Sequence, residues 1–204
     1  RPRPARLGHL PWGRAFDSLT ALERVLAGTF ASVSARTAGF ATIDVGTLRS
    51  TTWIVLMVLM WIGASPSSTG GGIKTSAAAV LFAVFVGELR GHPPRLAFRA
   101  LGASTVRRAI VVALASLAVF TMVTLGLTLT DDQPPLALAF EAMSALTTTG
   151  LSTGITAAVS DAGRLLLVVA MFLGRLGPVT VALAVGGTQR RERFALPTQE
   201  LQVW

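Results

Sequence analysis

Residues 109 to 130, AIVVALASLAVFTMVTLGLTLT, carry no charge and no proline, and this unbroken apolar run constrains the chain more than any other feature. At 1.5 Å per residue a helix of that length covers a bilayer's hydrocarbon core of about 30 Å. The rest of the chain agrees: it is 51% hydrophobic and 14% charged, and its mean hydropathy of +0.61 lies outside the ordinary soluble range. The chain reads as an all-helical membrane protein, with lipid as its first partner. A formal charge of +8 does not make it a nucleic-acid binder, because such proteins do not separate their basic residues with long apolar runs. There is no cysteine, and His9 and His92 are the only histidines, so disulfides, thiolate metal sites and a histidine cluster are excluded. The chain opens on Arg1 without the apolar core of a signal peptide, and is expected to be a piece of a longer protein.

Other apolar stretches are shorter or interrupted. Residues 1–20 are a polar lead-in rich in Arg, Pro and Gly, and 21–35 predict a helix too short to cross a bilayer. From Trp53 an apolar run enters the membrane, stops in ASPSSTGGGIKT and resumes in SAAAVLFAVFVG, as one span broken in its middle. Backbone groups in such a break are costly against lipid, so it must face protein or a water-filled cavity. Residues 134–146 are again too short to span and run into TTTGLSTG, the pattern of a re-entrant segment. A last span runs from about Gly163 to Gly187, with Arg175 and Pro178 near its centre, and a polar tail covers 188–204. An arginine at that depth costs about 2.5 to 3.5 kcal/mol and is expected to face the bundle interior.

Arg90, Arg95, Arg99, Arg107 and Arg108 in the 91–108 loop and its border, with Arg190, Arg191 and Arg193 in the tail, mark the cytoplasmic side. The stretch from Asp131 to Asp161 has no Lys or Arg and is expected outside. Arg1, Arg3, Arg6, Arg14 and Arg24, which the same topology places outside, run against the trend.

The chain repeats itself. At an offset of 111 residues Thr37 matches Thr148, Gly39 matches Gly150, Met60 matches Met171 and Gly63 matches Gly174. FASVSARTAGF precedes the first broken span and FEAMSALTTTGL the last one, with one extra residue in the second copy. Each unit, 21–90 and 109–187, therefore holds a short helix, a Thr-rich loop and a membrane helix. A single Thr-Gly turn is ordinarily a connector; two in matching context point to a shared use. A short helix ending inside the membrane leaves a loop whose carbonyl oxygens can replace a cation's hydration shell, and glycine frees the backbone to turn them inward.

SARTAGFATID, IGASPSSTGGGIKT, SALTTTGLSTGIT and MFLGRLGPVT together resemble the Trk/Ktr/HKT superfamily of potassium and sodium uptake proteins, over roughly Thr20 to Gly187. The resemblance implies helix, pore-loop, helix repeats, of which these are the third and fourth of four around one pore, with re-entrant pore helices and a broken transmembrane helix. It assigns Thr37, Ala38, Gly39 and Phe40 to the third segment of a selectivity filter, and Thr148, Thr149, Gly150 and Leu151 to the fourth. It assigns a gate to the intramembrane loop Gly63, Ser65, Ser68, Thr69, Gly70, Gly71, Gly72 and Lys74, with Arg175 beside it. The transported ion would be K+, with Na+ or a mixture as the alternative, and nothing would be bound covalently. The whole protein would be a homodimer in the plasma membrane, resting on a cytosolic nucleotide-binding ring. Lys74 is expected to snorkel to the cytoplasmic interface; Glu141 either attracts cations to the mouth or pairs with a nearby donor.

Two motif matches fail on context. Gly150 to Gly154 fit the G-x-S-x-G elbow of serine hydrolases, but helix precedes them and neither histidine is placed to activate the serine. GGGIKT has Ile73 between its glycines and its lysine, unlike a phosphate-binding loop. No enzyme is implied. A non-transporting membrane scaffold would account for the hydrophobicity, though not for the paired loops.

Overall fold

The computed structural model describes residues 19–66, 68, 70–96 and 99–177. The lead-in, Ser67, Thr69, Pro178 and the tail lie outside the described residues. Six α-helices carry the described residues: α1 (Ala21–Ser34), α2 (Ser50–Trp61), α3 (Thr75–Leu89), α4 (Ala103–Thr130), α5 (Pro135–Leu146) and α6 (Asp161–Leu176). A two-stranded hairpin, β1 (Arg95–Leu96) with β2 (Arg99–Ala100), joins α3 to α4.

Local chemistry accounts for the helix ends. Thr20 and Glu23 form a reciprocal capping box at the start of α1. Pro135 opens α5, where its missing N–H is no loss. Ser160 caps α6 by accepting from Gly163 N. The expected span is present as α4, but it begins at Ala103 rather than 109 and takes Arg107 and Arg108 into its first turns. Arginine stems can lie along apolar surface with their heads in the interface, so these charges need not end the helix. α4 is the one described helix long and apolar enough to cross a membrane alone. α2 and α3, at about 18 and 22 Å, supply the expected broken span, interrupted from Ile62 to Lys74.

Packing is organised around α5, which contacts α2, α4 and α6. Leu138, Phe140 and Ala142 are fully enclosed. One apolar cluster joins Leu56 and Met60 of α2 to Phe140 and Met143. Another joins Val123 and Leu127 of α4 to Leu138, Ala145, Leu167 and Ala170. Small residues let these helices close on each other, as membrane interiors require: a Cβ on Gly174 would lie 1.8 Å from Leu146 O. The outward faces are apolar too, with Phe82, Phe85, Leu114, Met122, Leu125, Val168 and Phe172 exposed. That surface is suited to lipid rather than water.

Candidate functional site

The site is built where the two short helices stop. Past the end of α1, Ala38 N and Gly39 N both donate to Ser34 O, at 3.0 and 3.1 Å. Past the end of α5, Thr149 N donates to Ser144 O at 3.0 Å and Gly150 N to Ser144 Oγ at 3.1 Å. The amide hydrogens of Ala38, Gly39, Thr149 and Gly150 are thus taken up by a serine near each helix end, through an orphan carbonyl or through its hydroxyl. Among the described residues no donor is paired with the carbonyl oxygens of Thr37, Ala38, Gly39, Thr148, Thr149 or Gly150. Thr37 (φ 68°) and Thr148 (φ 54°) are the non-glycine residues with positive φ among those described, and Gly39 (76°) and Gly150 (93°) follow two positions later. A β-branched residue in that region is strained by about 1–2 kcal/mol, yet both repeats adopt it at matching positions.

The two loops lie side by side. A Cβ on Gly39 would be 1.9 Å from Thr149 O and 3.4 Å from Gly150 Cα. No side chain fits there, so glycine is required at Gly39 by contact as well as by φ. The loops also meet further along, where a Cβ on Gly46 would be 2.5 Å from Thr153 O.

The interruption between α2 and α3 packs against both threonines. Its neck is closed by backbone bonds from Gly63 N to Ile73 O (2.9 Å) and from Ile73 N to Trp61 O (3.0 Å). Above the neck, a Cβ on Gly70 would lie 2.3 Å from Thr37 Oγ1, and Gly71 N donates to Thr148 Oγ1 at 3.0 Å. Gly63 backs onto Gly71 O, and Gly72 takes φ 77° beside Met60 O and Trp61 O. Within the loop Ser68 Oγ accepts from Gly70 N, while Ser65 is exposed. Trp61 Nε1 donates to Ser116 Oγ of α4 at 3.0 Å, tying the neck to the long helix.

Several expected residues are placed differently. Lys74 does not reach away toward an interface: its Nζ turns back into the loop, to Ser68 O at 2.8 Å and Gly70 O at 2.6 Å. Unpaired loop carbonyls are stronger partners for an ammonium than a hydrated surface several bonds away. Phe40 points outward, and its carbonyl accepts the Ser34 hydroxyl; the unpaired oxygens on this side therefore end at Gly39. Leu151 is buried in the cluster of α2 and α5, where its side chain anchors the loop. Arg175 is exposed in this chain, one turn beyond Met171, which lines a cleft with Thr148 and Gly150, while its neighbour Gly174 takes the position against α5. Glu141 is a partner for nearby donors: it accepts from Ser152, Thr153 and Thr156. Ser34 and Ser144 were not singled out from sequence, although they occupy the same place in FASVSA and FEAMSA.

A family profile described as a cation transport protein, TrkH, matches residues 13–189. Ktr system potassium uptake protein B of Bacillus subtilis is 33% identical over 188 residues, covering 92% of this chain and 40% of that protein. The potassium/sodium uptake protein NtpJ of Enterococcus hirae is 30% identical over 191 residues, covering 90% and 42%. The chain thus spans about two fifths of the length of these relatives. The solved structure of the potassium transporter TrkH from Vibrio parahaemolyticus superposes with a TM-score of 0.72 at 23% identity, over 86% of this chain and 39% of that one. At that identity the likeness is one of fold.

Proposed function

The chain belongs to the TrkH family of cation transport proteins, and on that premise we propose that it contributes two of four filter segments to a K+ uptake pore closed by the loop between α2 and α3. Family membership places it in the cell membrane among transport proteins rather than enzymes, which retires the serine-hydrolase reading. One observation carries the proposal: Gly39 and Gly150 are adjacent, and Gly70 and Gly71 of the loop sit against the matching threonines of both segments. Unpaired carbonyls on those segments supply the oxygen ligands a dehydrating cation needs.

In this reading Thr37, Ala38 and Gly39 act with Thr148, Thr149 and Gly150 as ion ligands. Gly63, Ser65, Ser68, Thr69, Gly70, Gly71 and Gly72 form the plug. Lys74 holds the plug together and places a positive charge on the ion path. Arg175 adds a second charge from α6. The hairpin and the arginines around it lie in the cytoplasm, the turns after each filter outside. The complete protein is a homodimer seated on a cytosolic nucleotide-binding ring. K+ is the favoured ion because the B. subtilis relative is named for potassium; the name of the E. hirae relative keeps Na+ as the alternative.

Rubidium uptake by the full-length protein, in cells stripped of other potassium uptake, tests the reading. Uptake that Gly39→Ser or Gly150→Ser makes less selective against Na+ supports it. No uptake at normal protein levels would favour the scaffold. Arg175→Ala should alter flux at unchanged protein level; unchanged flux removes Arg175 from the gate.

A further inference from the structure

Each filter segment must be held where it leaves the filter as well as where it enters, and the two repeats do this differently. In the second unit the hold is Glu141 of α5, 6% exposed. Its Oε1 accepts from Ser152 Oγ (2.8 Å), Thr153 N (2.8 Å) and Thr153 Oγ1 (3.0 Å), and its Oε2 from Thr156 Oγ1 (3.0 Å). Ser152 Oγ in turn accepts from Gly154 N at 2.9 Å. All three hydroxyls of the exit turn, and one of its amides directly, are thereby referred to one carboxylate on the pore helix. In the first unit the matching pore-helix position is Ala31, which offers no acceptor. The exit there is shaped by Asp44, whose Oδ1 accepts from Gly46 N at 2.9 Å. Gly46 is the residue on which Thr153 O presses, so the turn that Glu141 holds also supports its counterpart.

From this we propose that Glu141 is the positioning residue of the Thr148–Leu151 filter segment, acting through its acceptor oxygens rather than through its charge on the ion. The proposal rests on the pore reading above. A charge role has physical access, since Glu141 lines a cleft of about 390 Å³ together with Thr148, Gly150 and Ser152. Hydrogen-bond inventory separates the two roles. Glutamine keeps one carbonyl oxygen for the three donors on Oε1, including Thr153 N, which cannot reverse. Its amide group would meet Thr156 Oγ1, a hydroxyl free to rotate and accept. Glu141→Gln thus removes the charge and keeps the hold, whereas Glu141→Ala removes both.

The experiment measures rubidium uptake and its inhibition by Na+ in the full-length transporter. Glu141→Gln should keep affinity and K+ over Na+ discrimination within about twofold of wild type, while Glu141→Ala lowers discrimination about tenfold or more. Thr156→Val deletes the donor on Oε2 without touching the carboxylate and should give a smaller loss in the same direction, which keeps the test in force if Glu141→Ala does not accumulate. Equal defects in Glu141→Gln and Glu141→Ala, with normal wild-type uptake, overturn the positioning role alone. So does full discrimination in Glu141→Ala or, where that variant does not accumulate, in Thr156→Val. Absence of wild-type uptake overturns the pore reading and this proposal with it.

Discussion

The two short helices α1 and α5 end in closely similar turns and have opposite surroundings. α5 is buried from Ala137 to Leu146 apart from Ala139, whereas α1 exposes Leu22, Val25, Leu26 and Val33, the last at 70%. Yet Thr37 and Thr148 share their left-handed backbone, as do Gly39 and Gly150, and in each case a serine at the helix end ties the loop. The shape of each turn is therefore local, set by helix-end hydrogen bonds and by glycine. Its firmness is not local, because among the described residues α5 packs against α2, α4 and α6, while α1 has no comparable neighbours.

That contrast is broken most severely at Gly174. A Cβ there would be 1.8 Å from Leu146 O, a backbone atom that cannot swing aside, so Gly174→Ala should cost about 3 kcal/mol and abolish monodisperse full-length protein in size-exclusion chromatography. Gly28 of α1 has nothing within 4 Å of its would-be Cβ. Gly28→Ala should add up to about 1 kcal/mol of helix stability. Similar losses at both sites would mean that α1 is as tightly enclosed as α5.

Between the two turns the order runs the other way. Gly39→Ala meets both a strained φ and the Thr149 carbonyl, whereas a Cβ on Gly150 meets its nearest neighbour, Gly39 Cα, at 3.9 Å. Gly150→Ala should carry only backbone strain of about 1–2 kcal/mol, and Gly39→Ala that strain plus a clash. Rubidium uptake should fall further in Gly39→Ala; the reverse order would mean the segments do not touch as described. Thr20→Ala, which deletes half of the capping box, should lower thermal stability by about 1 kcal/mol, with circular dichroism loss confined to one short helix.

The mildest effect is expected at the C-terminal end of α4. Hydrogen bonds from Thr130, and then from Ser160 N, hold the Asp131 carboxyl below the usual carboxylate range. A depressed value means the ionised form favours the folded state. The contribution is present above the ordinary carboxylate pKa and is lost as pH falls through the folded value. Melting temperatures measured from pH 7 to pH 3 should therefore drop slightly more for wild type than for Asp131→Asn. Parallel curves would show that Asp131 does not tie α4 to α6 in solution.

Much of this was legible in the residues. The apolar run at 109–130, the glycine-rich break and the 111-residue repeat correspond to α4, the α2–α3 interruption and the paired turns. These are patterns of composition and period, which depend little on distant contacts. What was not legible depends on partners far along the chain. Lys74 turns inward because unpaired carbonyls lie within its reach, and Glu141 is satisfied by donors up to fifteen positions away. Gly174 was visible as a repeat match, but that it presses on α5 is a fact of packing. The hairpin at Arg95–Ala100 gave no strand signal, since two-residue strands have too few positions to alternate.

Contact of the glycine loop with Thr37 and Thr148 is the claim on which the account turns, and a cysteine pair tests it directly. This chain contains no cysteine of its own. A Cβ at Gly70 would stand 3.0 Å from Thr37 Cβ, within about an ångström of the spacing usual in a disulfide. In the full-length protein, with each single substitution as control, Thr37→Cys combined with Gly70→Cys should cross-link on oxidation, stop rubidium uptake and recover on reduction. A pair that cross-links without changing flux, or that fails to cross-link while both cysteines remain reactive, would contradict the account.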